Sequence, residues 1–130
     1  MKYMLMMNST KANWDSFATT LTHDEIMAHV TFMKKLNEEL KASGELVDAQ
    51  GLTGPEQTKV VRARAGGPPV VTDGPFPEAK EFLAGYWILE VKSPERIMEI
   101  AAYISAAPGR GGAPLNIPVE VRPVGSAPPV

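Results

Sequence analysis

The order of hydrophobic patterns along the chain predicts an α+β fold of the split βαβ kind with an inserted β-hairpin. Three observations carry this reading. The run Leu83–Val91 is rich in aromatic and branched residues, as a central strand buried on both faces would be. Two stretches with helical spacing, Thr22–Gly44 and Ser93–Pro108, each separate strand-like runs. Between them, two short alternating runs flank the turn Ala65-Gly66-Gly67-Pro68, which is a hairpin signal. A chain of 130 residues is long enough for one domain over residues 1–130, burying roughly two-thirds of its unfolded surface.

In chain order, Lys2–Met7 reads as a first strand within the sheet, with Met4 and Met6 on one face and Tyr3, Leu5 and Met7 on the other. Asn8–Thr20 is polar and punctuated by Asn and Ser, so it reads as a loop with at most a helical turn, its Trp14 and Phe17 pinned to the core. Thr22-His23-Asp24-Glu25 is a capping box that opens a helix. Ile26, Val30, Met33, Leu36 or Asn37, and Leu40 recur at its helical spacing, and Gly44 stops it. Glu45–Ala49 reads as a second strand ended by Gly51. Thr58–Arg64 and Val70–Thr72 are the hairpin, which delivers the chain into a polar corner at Asp73. In that corner Asp73 can accept backbone N–H bonds, Gly74 allows unusual dihedrals and Pro75 fixes φ. After the central strand, Ser93 caps and Pro94 starts a helix whose Ile97, Ile100, Ala101 and Ile104 face inward. Val119, Val121 and Val124 form the last strand, with Glu120 and Arg122 on its opposite face. Two helices cover only one face of such a sheet. The other face carries apolar groups, so a second copy is expected to cover it.

Asp73-Gly74-Pro75-Phe76, followed by Glu78, Lys80-Glu81 and Gly85-Tyr86, resembles the D-G-P-F signature of the YCII-related domain family. The similarity extends to Gly44-Glu45-Leu46-Val47, Gly51-Leu52 and Glu120-Val121-Arg122-Pro123-Val124, and so spans most of the chain. The resemblance implies a ferredoxin-like fold that pairs into a dimeric α/β barrel. It also implies a regulatory setting beside sigma-factor-like partners, and assigns no reaction.

Thirteen basic and fifteen acidic residues leave a formal charge of −2 with no basic stripe, which argues against nucleic acid as a partner. With no cysteine, disulfides and thiolate chemistry are excluded. No run approaches the ~20 apolar residues of a spanning helix, and the apolar start is short for a signal peptide. A cytoplasmic protein away from membranes is the expectation. No H-E-x-x-H, cysteine cluster or paired histidines points to a metal, and neither a metal nor another cofactor is expected. A G-x-S-x-G elbow is also missing.

Two readings of function follow. In the first, the chain binds a small molecule in a cavity on the sheet, contacted by Gly74, Phe76, Lys80, Tyr86, Glu90 and Arg122. Glu90 stands within a strand that reads as buried, where its carboxylate would need Arg122 or Lys2 as partner. In the second, a lyase, isomerase or hydrolase uses Asp73 as a general base with His29, which lies in the apolar stripe of the first helix. A histidine so placed is as a rule a hydrogen-bonded core residue. Relatives with a proposed His-Asp pair carry the histidine in an Arg-Pro-x-His segment, which neither His23 nor His29 matches.

Overall fold

The computed structural model describes residues 1–74 and 80–127. The elements in chain order are β1 (Lys2–Ser9), α1 (Lys11–Thr20), α2 (His23–Ala42), β2 (Leu46–Gly51), β3 (Lys59–Arg62), β4 (Val70–Asp73), β5 (Phe82–Glu90), α3 (Pro94–Ser105) and β6 (Val119–Pro123). β1, β2, β5 and β6 form a sheet in the order β2-β5-β1-β6, with every neighbouring pair antiparallel. β5 therefore lies between β1 and β2, and β1 between β5 and β6, so each βαβ connection skips a strand. That arrangement is compatible with a ferredoxin-like fold. β3 and β4 make a separate two-stranded sheet, the inserted hairpin.

The core lies between one face of the sheet and the two longer helices. Leu5 and Leu89 from the central strands and Ile97 from α3 are each 0% exposed. Leu36 and Leu40 of α2, Trp87 of β5, Val91 just after it and Ile100, Ala101 and Ile104 of α3 complete the cluster, with Tyr3, Met7, Val119 and Val121 at its margin. The sheet faces are thus as the alternation in β1 and β6 predicts. β5 differs from its expected burial on both faces. Gly85, Trp87 and Leu89 are buried, but Ala84, Tyr86 and Ile88 on the other side are only half-buried.

Helix ends follow local chemistry. The Thr22 hydroxyl accepts from the Glu25 amide at 3.1 Å while the Glu25 carboxylate accepts from the Thr22 amide at 2.8 Å, the reciprocal box predicted for the start of α2. Gly44 takes φ +79° just past its end, where a side chain would be strained. Ser93 caps α3 by accepting from the Arg96 amide at 3.2 Å. The segment Lys11–Thr20 is a helix rather than the expected loop. Its Thr10 hydroxyl caps the Asn13 amide at 3.1 Å, and a Lys11–Asp15 pair at 2.8 Å spans one turn. It buries no residue, which is why no apolar stripe announces it.

The corner between α2 and β2 is tied to α3 by a fork of two charge-assisted bonds. Arg96 Nε donates to Glu45 Oε2 and Nη2 to Oε1, both at 2.9 Å. This guanidinium, helped by the Ser43 hydroxyl, holds the Glu45 carboxyl below the usual glutamate range, while partial burial opposes it. A carboxyl whose folded pKa is depressed contributes stability above its unfolded pKa, and that contribution is lost as pH falls through the folded value. Glu45→Gln should therefore lower stability at neutral pH by on the order of 1 kcal/mol, a modest figure because Arg96 is 40% exposed. Urea unfolding should show the two proteins converging as the pH is lowered through and below 4.5, the ordinary glutamate value.

Candidate functional site

The face of the sheet away from the helices carries two cross-strand rows. The antiparallel registers align Asp48, Ile88, Met4 and Arg122 in one row from β2 to β6, and Gln50, Tyr86, Met6 and Glu120 in the next. The centre is apolar and the edges are polar. Tyr86 donates its hydroxyl to Asp48 Oδ2 at 3.0 Å, and Gln50 Nε2 donates to Asp48 Oδ1 at 3.1 Å. The bond to Asp48 raises the Tyr86 pKa, because an ionised phenolate could not donate to a carboxylate. Asn8 Nδ2 donates to Glu120 Oε1 at 2.6 Å. Among the described residues Arg122 enters no ion pair.

At one end of this face a hollow of about 530 Å³ is lined by Lys2, Val47, Glu90 and the segment Val124, Gly125 and Ser126. Glu90 is not the buried carboxylate that its strand implies. It is the last residue of β5, its side chain is 54% exposed, and the Met1 ammonium, at 3.2 Å, is its partner in place of Arg122 or Lys2. Its exposure removes the need for a compensating charge that burial would have imposed.

Asp73 closes β4 opposite Lys59, whose ammonium donates to it across the hairpin. The carboxylate is 85% exposed, and the lysine holds its pKa below the usual aspartate range. Gly74 follows, its amide donating to the Thr58 carbonyl at 2.9 Å. Its φ is not left-handed; a Cβ here would come within 2.9 Å of the Val60 side chain, which would have to shift to admit it. Gly74 and Lys80 share a cleft of about 220 Å³ with Lys11, Glu56, Glu81 and Phe82. Phe76, along with Pro75, Pro77 and Glu78, lies outside the described residues.

His29 is anchored elsewhere. Its Nδ1 meets the Pro108 carbonyl at 3.0 Å and its ring meets Phe17 edge-on with centroids 5.1 Å apart. A carbonyl only accepts, so Nδ1 carries the proton and a neutral ring keeps its lone pair on Nε2. One turn earlier Glu25 accepts from the Gly111 amide, so both side chains fasten the 108–112 loop to α2. Gly111 and Thr22 together draw the Glu25 pKa below its ordinary value.

The expected site residues thus fall into three places. Tyr86, Glu90 and Arg122 share the open sheet face, Asp73, Gly74 and Lys80 the hairpin corner, and His29 the α2–loop contact. The hydrogen bonds of His29 and Asp73 do not include each other. Asp48, the residue that completes the Tyr86 contact, was not singled out from sequence; its alternation with Gln50 in a short strand was the available signal. Among the described residues no group of three or more His, Asp or Glu side chains converges as metal ligands would. Among the described residues no helix is long and apolar enough to cross a membrane.

A family model for the YCII-related domain matches residues 1–111. No curated protein matches the chain.

His29→Ala should cost on the order of 0.5–1.5 kcal/mol, the worth of one neutral hydrogen bond. It should also speed amide exchange at Gly109, Gly112 and Ala113, whose bonds hold the loop together. Asp73→Ala should leave those amides unchanged; a shared response would mean that the two residues form one site.

Proposed function

Because the chain belongs to the YCII-related domain family, we propose that it binds a small molecule against the open face of its sheet, as a dimeric α/β barrel in which a second copy covers that face. The observation that carries this reading is the pattern of the face itself: Met4, Met6 and Ile88 supply apolar surface around the one hydroxyl of Tyr86, which Asp48 orients. Apolar walls with few, fixed polar groups are what small-molecule sites are made of. The hollow at Glu90 and Lys2 is the entrance, and its volume is in the range of such sites. Leaving the face open would expose the apolar residues of the two central strands to water, and covering them is the driving force for pairing.

A second reading, a lyase, isomerase or hydrolase, is favoured by His29 alone, whose fixed Nδ1–H leaves Nε2 able to take a proton. Asp73 is then not its partner, being held by Lys59.

Static light scattering at micromolar concentration should return twice the chain mass. In a thermal-shift screen of small carboxylates and aromatic metabolites, at least one compound should raise the melting temperature. A ligand at a hundredfold excess over its Kd stabilises by about 2.7 kcal/mol. Tyr86→Phe should reduce that shift, whereas Lys80→Ala, in the separate cleft, should not. The reverse dependence would move the site to the hairpin corner.

A further inference from the structure

Two of the three polar rows of the open face are charged in the same sense across its width. Asp48 stands on the β2 edge and Arg122 on the β6 edge of the same row, with Ile88 and Met4 between them. In the next row toward the chain start, Glu90 on β5 faces Lys2 on β1 with the same polarity. In the row on the other side, Gln50 stands on the β2 edge and Glu120 on the β6 edge.

From this we infer that the second copy docks about a twofold axis running along the strands, with Asp48 of each copy paired to Arg122 of the other at both seams. The inference rests on the dimer proposed above and adds its geometry. Two identical sheets packed face to face in the aligned manner are related by an axis running either nearly along their strands or nearly across them. An axis along the strands keeps each row in register and exchanges its ends. Asp48 then meets Arg122 and Gln50 meets Glu120 at the seams, while Glu90 faces Lys2, Ile88 faces Met4 and Tyr86 faces Met6 across the space left for the small molecule. Every polar pairing is between opposite charges or between an amide and a carboxylate, and the apolar residues face apolar or aromatic ones. An axis across the strands midway between this row and the next would set Arg122 against Glu120 and Asp48 against Gln50, so that Asp48 and Arg122 would not pair and a double charge reversal would not rescue the single ones; through the same row it would instead set Asp48 against Asp48 and Arg122 against Arg122, and would place Lys2 over Met6. Like charges so juxtaposed, and a lysine over thioether, disfavour that arrangement. Asp48 has capacity for the contact: Tyr86 and Gln50 each engage one of its oxygens, which leaves lone pairs for a guanidinium. Arg122 is exposed in the single chain and enters no ion pair there among the described residues.

Dimer dissociation is measured by sedimentation across a dilution series for wild type, Asp48→Arg, Arg122→Asp and the double reversal. Each single reversal places like charges at both seams and should raise the dissociation constant by about tenfold or more. The double reversal restores opposite pairs and should recover most of the loss. Should Asp48→Arg fail to fold without its tyrosine contact, the neutral cycle of Asp48→Asn and Arg122→Gln replaces it, and the double variant should then lose less than the sum of the singles. A wild-type dimer indifferent to single reversals, or not rescued by the double one, overturns the pairing and leaves the dimer standing. A monomeric wild type overturns both.

Discussion

The four-stranded sheet is covered by helices on one side only, and most of what distinguishes this molecule follows from that asymmetry. On the covered side, Leu5, Leu89 and Ile97 reach full burial, and each removes apolar surface worth roughly 1.5–3 kcal/mol from water. On the uncovered side, the same two central strands present Met4, Met6, Tyr86 and Ile88, none of them buried. A strand has period two, so a sheet that is apolar on both faces at its centre requires two covers. Among its described residues the chain supplies one.

The residues at the margins of the open face limit what could cover it. A wholly apolar face would fit many partners in many orientations. The carboxylate of Asp48 and the guanidinium of Arg122, on the two edge strands at opposite ends of one row, allow few. Charged groups in this position add less to affinity than to orientation, since opposite charges gain little when solvated but like charges facing each other are strongly disfavoured. The tyrosine–aspartate bond has a second effect: it satisfies the Tyr86 hydroxyl in advance, so that burial of this face leaves no orphaned donor.

Sequence reasoning reached the architecture because the strong signals were all of one kind, apolar periodicity with caps and turns. The Thr22–Glu25 box, the Ser93-Pro94 start and the inward stripe of α3 are local, and each appears where its residues place it. α1 escaped because a helix that buries nothing has no stripe, and its Ser, Thr and Asn residues read as loop until their hydroxyls are seen bonded within the helix, as Thr20 is to the Ser16 carbonyl at 2.6 Å. Glu90 was misjudged because periodicity marks a strand without showing where it leaves the core. The candidate site was less legible than the fold. His29 was placed on the correct stripe, but its partner is a carbonyl 79 residues away, and no pattern of side chains encodes a backbone acceptor. Lys59 and Asp73 could have been paired in advance, since they stand opposite each other once the hairpin turn is accepted.

Their pairing bears on chemistry. A general base works best when its pKa is near the ambient pH, which for a carboxyl requires burial or a neighbouring anion to push it upward. Asp73 has the opposite surroundings: it is exposed, and Lys59 lowers its pKa, making it a weaker proton acceptor than a free aspartate. A lysine partner on an exposed hairpin strengthens β3–β4 pairing at a point where a two-stranded sheet has little else to hold it, with Val61 and Val71 both more than half exposed. Asp73 therefore stands at the end of the β3–β4 ladder, next to the Gly74 amide that donates to the Thr58 carbonyl. That is a reason to look for the functional groups of this domain on the sheet rather than at its corner.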